Sequence, residues 1–95
     1  MSGDLTGRVA LVTGAVRGIG LAAAHSMAAK GAKVWIADLK AEGDDAVSQA
    51  LESVPGGAYL SLDVADEAQW QAAIARIEDE DGRLDILVNN AGIDG

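Results

Sequence analysis

The sequence predicts an α/β protein built on a parallel sheet. Two observations carry that prediction. Strand-like and helix-like runs alternate without a break along the 95 residues. The first strand-like run also leads directly into a glycine-rich turn and then a helix. Strands separated by helices pair in parallel through right-handed crossovers. The strand-like runs are continuously apolar, the pattern of a sheet covered on both faces. No linker, repeat beyond the βα unit or low-complexity tract interrupts the alternation, so one small domain over 1–95 is expected.

Taken in order, residues 8–13 form a β-rich run. Residues 18–30 are helical in composition, and Gly31 stands where a helix commonly closes. Lys-Val-Trp-Ile-Ala-Asp at 33–38 reads as a second strand. Residues 41–53 carry Val47, Ala50 and Leu51 at helical spacing, continued by Val54, and Pro55-Gly56-Gly57 stops the run. A third strand is expected over 58–63. The helix that follows has Asp66 as its N-cap, Trp70, Ala73, Ile74 and Ile77 on one face, and Gly82 at its end. Residues 84–88 are the fourth strand.

Composition narrows the function. Hydrophobic residues make up 49%, which argues against disorder. Much of that fraction is alanine and there is no Phe, so little area is buried per residue. A domain of this size buries only about 60–65% of the surface its unfolded chain exposes, which implies marginal stability unless something else covers the sheet. The net charge of −8 argues against nucleic acid and anionic membranes, both of which select basic surfaces. Without cysteine there are neither disulfides nor thiolate metal sites. No apolar run approaches a membrane span, and Met1-Ser2-Gly3-Asp4 lacks the features of a secretion signal. A cytoplasmic protein is expected.

The glycine turn carries the chemistry. Gly14, Gly18 and Gly20 lie between an apolar strand and a helix start. Backbone N–H groups there can point at an anion, and the helix dipole favours its charge. Gly14 allows a sharp exit from the strand, Gly18 lets a diphosphate approach the backbone, and Gly20 lets the helix pack close to the sheet. The spacing is neither G-x-G-x-x-G nor a P-loop, since no Gly-Lys-Ser/Thr follows. Asp38 ends the second strand, where a carboxylate can accept hydrogen bonds from ribose hydroxyls and would repel a 2′-phosphate. It therefore favours NAD over NADP. Arg17 pulls the other way, since a cation beside the turn can pair with a phosphate; it can equally serve the diphosphate or stay solvated.

Thr13-Gly14-Ala15-Val16-Arg17-Gly18-Ile19-Gly20, Asp63-Val64 and Asn89-Asn90-Ala91-Gly92 together resemble the N-terminal half of a classical short-chain dehydrogenase/reductase, over essentially the whole chain. The resemblance implies half of a Rossmann-type fold, with strands in order 3-2-1-4 and three helices. It implies that Gly14, Arg17 and Ile19 line the pyrophosphate and ribose, and that Asp38 holds the adenosine ribose. Asp63 would reach the adenine amino group with Val64 against the ring. Asn90, Ala91 and Gly92 would sit at the end of the fourth strand beside the middle of the cofactor. The implied activity is hydride transfer between NAD and an alcohol or ketone. The family's catalytic Asn, Ser and Tyr, with a Lys four residues after the Tyr, are not matched. The one tyrosine, Tyr59, has Asp63 four residues on and falls in a predicted strand. The chain is thus expected to hold the adenine-nucleotide half of the site without turnover by itself, as part of a longer enzyme or a shortened domain.

The other candidates have simpler readings. His25 lacks a second ligand at metal spacing. Glu78-Asp79-Glu80-Asp81-Gly82 lacks the remaining acids of a calcium loop and reads as a solvated helix end, although negative charge there opposes the helix dipole. Trp35 and Trp70 are expected in helix–sheet contacts, and Thr13 is expected to hold the glycine turn locally. The alternative to a nucleotide module is a structural one. The edge at Leu84-Asp85-Ile86-Leu87-Val88 offers unpaired backbone groups through which a homo-oligomer could form.

Overall fold

The computed structural model describes residues 4–90. Four parallel strands are present: β1 (Val9–Thr13), β2 (Lys33–Asp38), β3 (Ala58–Ser61) and β4 (Ile86–Asn89). They lie in the order β3-β2-β1-β4, the order the resemblance implies. Between them run α1 (Gly18–Ala29), α2 (Asp45–Glu52) and α3 (Glu67–Asp81). The architecture is Rossmann-like. Thr13 is in register with Ala37 on one side and Asn89 on the other, and Asp38 with Ser61. The carboxyl ends of all four strands therefore share one rim.

Side chains alternate between two buried layers, as a pleated strand requires. Ala10, Val12, Val34 and Ile36 pack with Ala24 of α1 and Val47 of α2. Leu11, Trp35, Ala37 and Leu60 pack on the other face with Ala73 and Ile77 of α3. Every residue of β1 is buried, which is why it reads as a continuous apolar run. β4 departs from the expectation that both faces are covered. Its burial alternates, with Ile86 and Val88 packed on the α1 face while Leu87 is 50% exposed. The reason is position: β4 is at the sheet edge, and the layer closed by α3 does not extend to it.

The ends of the elements follow local hydrogen bonding. α2 starts four residues later than its apolar spacing suggests, because Asp44 caps it by accepting from the Ala46 N–H. β3 stops at Ser61, short of the expected Asp63, because the chain leaves the sheet in a turn closed by Asp63 Oδ1 and the Ala65 N–H at 2.9 Å. β4 begins at Ile86 rather than Leu84. Just before it, Asp85 donates its N–H to the Val9 carbonyl, and its carboxylate accepts from the Val9 N–H at 2.9 Å. Asp66 caps α3 as expected, and Gly31 and Gly82 end α1 and α3 with φ of +99° and +79°.

The acidic end of α3 is more than a solvated face. Asp81 accepts from the Trp35 Nε1–H at 2.5 Å and pairs with Lys33 Nζ at 3.3 Å. Lys33 and Arg76 also lie over the Trp35 ring, 5.1 and 5.4 Å from its centroid. Trp70 joins helix to loop through its Nε1–H and the Val64 carbonyl at 2.6 Å. His25 lies on the exposed side of α1, with Nδ1 2.7 Å from the Ser53 carbonyl. Among the described residues, no helix is long and apolar enough to cross a membrane.

Candidate functional site

The carboxyl rim is built outward from the glycine turn. Gly14 leaves β1 with φ +62°, a conformation that costs a side chain steric energy. Ala15 is fully buried, and its N–H bonds to the Ala37 carbonyl at 3.2 Å, which fastens the turn to β2. Gly18 also has φ +62°, and a Cβ placed on it would meet nothing within 4 Å. Its glycine requirement is conformational, and the space in front of it is open. Gly20 is different. A Cβ there would overlap the Gly14 carbonyl oxygen and lie 2.9 Å from Asn90 Nδ2. The first turn of α1 thus crosses directly over the Gly14 peptide.

β4 braces that crossing. Asn90 donates from Nδ2 to the Gly14 carbonyl at 3.2 Å. The Thr13 hydroxyl reaches across the sheet to Asn89 Oδ1 at 2.9 Å. Gly14, Gly20 and Asn90 are therefore in mutual contact. Ala91 and Gly92, the remaining candidates of that motif, lie outside the described residues.

The three helix starts on this rim differ electrostatically. α2 and α3 each begin with an aspartate cap and an acidic residue in the first turn. α1 begins at Arg17, in extended conformation, with no side-chain cap and no acid in its first turn. No side-chain cap meets its N-terminal N–H groups, and no acid offsets the positive end of its dipole in the first turn. Ile19, in the same turn, is 80% exposed and contributes nothing to the core.

Asp38 ends β2, one residue beyond the Ala37 that holds the turn, and its Oδ1 accepts from the Leu39 N–H at 2.7 Å. Asp63 lies farther along the rim in the turn after β3, where Gln69 Oε1 accepts its N–H at 2.8 Å. Val64 is half-buried against the α3-side core. The candidates thus follow the rim from β3 to β4, while Asp63 has no direct contact with the glycine turn among the described bonds.

The sequence profile described as short chain dehydrogenase matches residues 8–95. The chain belongs to the short-chain dehydrogenase family. It is 49% identical over 90 residues to D-threitol dehydrogenase of Mycolicibacterium smegmatis, a match covering 94% of this chain and 35% of that protein. It is 46% identical over 93 residues to a 3-alpha-(or 20-beta)-hydroxysteroid dehydrogenase of Mycobacterium tuberculosis, covering 98% of this chain and 35% of that one. In three dimensions it resembles a short chain dehydrogenase from Mycobacterium smegmatis, with a TM-score of 0.84 and 32% identity over 98% of this chain and 40% of that chain. The chain spans about a third of the length of the curated relatives it matches.

Two further residues on this rim, Leu39 and Tyr59, have no site reading in the sequence analysis. Leu39 is 71% exposed directly after Asp38. A leucine following a strand-ending acid, where the burial pattern has already stopped, is the signal that could have marked it. Tyr59 reads as sheet packing, and the residue is buried, 7% exposed. Its hydroxyl, however, reaches the rim, donating to the Lys40 carbonyl at 2.5 Å and lying 3.0 Å from the Asp38 carbonyl. Burial first, and then the charges of Asp38, Asp44 and Glu42, push its pKa up to about 12. That is opposite to the lowering a tyrosine needs to exchange protons near neutral pH.

Proposed function

We propose that these residues form the NAD-binding portion of a cytoplasmic oxidoreductase that interconverts an alcohol and a ketone. The observation that carries this reading is the start of α1. An open-faced glycine at φ +62° precedes an uncapped helix end without acids, on a rim where the other two helix ends are closed by aspartate. Such an end accepts a diphosphate without displacing any side chain. Gly14, Gly18 and Gly20 shape the approach, and Arg17 and Ile19 flank it. Asp38 accepts from the adenosine ribose hydroxyls. Asp63 meets the adenine amino group, with Val64 and Leu39 giving apolar contact to the ring. Asn90, Ala91 and Gly92 sit toward the nicotinamide. The bound cofactor supplies or accepts the hydride; the residues present here bind and orient it.

We favour NAD because a carboxylate ending β2 would repel a 2′-phosphate, with Arg17 assigned to the diphosphate. The relatives named for a polyol and for a steroid share this portion at 49% and 46% identity, so substrate choice is assigned to residues outside it. By itself the 95-residue chain binds cofactor without turnover, because its one tyrosine is tied into the sheet.

Titration of the chain with NADH and NADPH by fluorescence tests the reading. Saturable binding, tighter for NADH, is expected. Asp38→Ala combined with an arginine at Leu39 should move the preference toward NADPH. Binding of neither cofactor by a chain with intact circular dichroism overturns the proposal. A second reading, self-association through β4, is favoured by the half-exposed Leu87 on an edge strand. Sedimentation distinguishes it: a single monomeric species at high concentration rules it out.

A further inference from the structure

We infer that Tyr59 is a positioning residue for cofactor choice: its hydroxyl fixes the Asp38–Lys40 turn so that the Asp38 carboxylate is held toward the cofactor ribose. This rests on the reading of Asp38 as the ribose acceptor. Within the turn after β2, Asp38 Oδ1 accepts the Leu39 N–H at 2.7 Å, a local bond that leaves the Lys40 end to be held from outside. Leu39 projects into solvent at 71% exposure, and Lys40 is past the end of the strand. The Asp38 carbonyl is bonded from one side by the Leu62 N–H at 2.8 Å, the last ladder contact between β2 and the segment after β3. Beyond it, the Lys40 carbonyl receives the Tyr59 hydroxyl at 2.5 Å, with the Asp38 carbonyl 3.0 Å from the same oxygen. One buried phenol thus spans the residues on both sides of Leu39.

Tyr59 comes from β3, where its register partner is Ile36, two residues before Asp38. Its ring is anchored in the core layer beneath α1 and α2. The hydroxyl is therefore a fixed point on the sheet from which the turn is hung. With its pKa raised to about 12, it remains a donor throughout the neutral range. Phenylalanine would pack as well and hold nothing. The consequence is specific. Asp38 discriminates by its position relative to a 2′ substituent, so a turn free to move weakens NADH binding and relaxes the rejection of NADPH.

The test is a double-mutant cycle read as the ratio of NADPH to NADH dissociation constants, using Y59F, D38A and the pair in the 95-residue chain. Y59F should weaken NADH by about three- to ten-fold, the range of one lost hydrogen bond, with NADPH little changed. In the D38A background Y59F should leave the ratio where D38A put it, because the hydroxyl acts through the carboxylate. An unchanged ratio in Y59F with a fallen ratio in D38A overturns the inference and leaves the reading of Asp38 standing. An equal effect of Y59F in both backgrounds also overturns it. An unchanged ratio in D38A overturns the reading of Asp38 itself. Should Y59F fail to fold, the sole tyrosine allows a single 3-fluorotyrosine reporter. Its fluorine resonance should shift with NADH and less with NADPH, and equal responses to the two would count against the coupling.

Discussion

The two rims of the sheet are built in opposite ways. At the amino rim, charges are used up on one another. Asp85 lies between Arg83 and Arg8, at 2.8 and 3.8 Å, and also ties β4 to β1 through the Val9 N–H. Asp81 serves both Lys33 and the indole of Trp35. At the carboxyl rim, side chains instead hold the backbone: Asn90 on the Gly14 carbonyl, Tyr59 on the Lys40 carbonyl. That leaves glycines and an uncapped helix end facing outward. A rim whose polar groups satisfy each other contributes to folding. A rim whose groups shape the backbone around an opening retains donors for a ligand. Substitutions at the amino rim should therefore change stability alone, and those at the carboxyl rim should change binding.

The largest expected effect separates two glycines of the same turn. Gly20→Ala places a methyl against the Gly14 carbonyl and should cost about 3 kcal/mol in urea unfolding. Gly18→Ala meets no atom and should cost about 1 kcal/mol, from its positive φ alone, yet weaken NADH. Equal costs at the two positions would break the distinction. Asp81→Ala comes next. It strands the fully buried Trp35 indole N–H and the Lys33 ammonium, and should cost about 2 kcal/mol with NADH affinity unchanged. A fall in affinity there would deny that the rims are separable. Arg17→Asp then sharpens the contrast from the other direction. It gives α1 the cap that α2 and α3 already have, so the free chain should gain about 1 kcal/mol. NADH binding should weaken about ten-fold, because the new carboxylate occupies the donors and repels the diphosphate.

The contrast between the rims was half legible in the sequence. The glycine turn, Asp38, Asp63 and Asn90 are legible as candidates because backbone demands and strand ends leave local marks: glycine where φ is positive, an acid where an apolar run stops. Gly20 was read as a close-packing glycine, and the structure supplies the partner it packs on, the Gly14 peptide. Most of the amino rim is not legible because, Arg83–Asp85 apart, its pairs are distant in sequence. Asp81 looked like one more acid in an acidic run, and only the fold brings Lys33 and Trp35 beneath it. Tyr59 was half seen. Its burial is a local property of an apolar strand, whereas its hydrogen bond to the residue 19 positions back is not. Leu87 was misjudged with the rest of β4, since an apolar residue on an edge strand carries no sequence mark of the face left uncovered.

The smallest effect belongs to Asp85. The hydrogen bond from Arg83 first, then the Val9 N–H and the charges of Arg83 and Arg8, hold its carboxyl below the ordinary value of 3.8. A carboxyl lowered on folding stabilises the fold at pH values above its ordinary one, and that contribution disappears as acid protonates it in the folded chain. Asp85→Asn keeps an oxygen for the Val9 N–H and loses the charge together with the second acceptor that Arg83 uses. Stability of the two chains, measured by urea unfolding across the acid range, should differ slightly near neutral pH and converge below pH 3.8. Added salt should shrink the neutral difference, since both arginines are about half exposed. NADH affinity should not move. A difference that persists unchanged into acid would mean that Asp85 acts at this rim through its hydrogen bond to Val9 rather than through its charge.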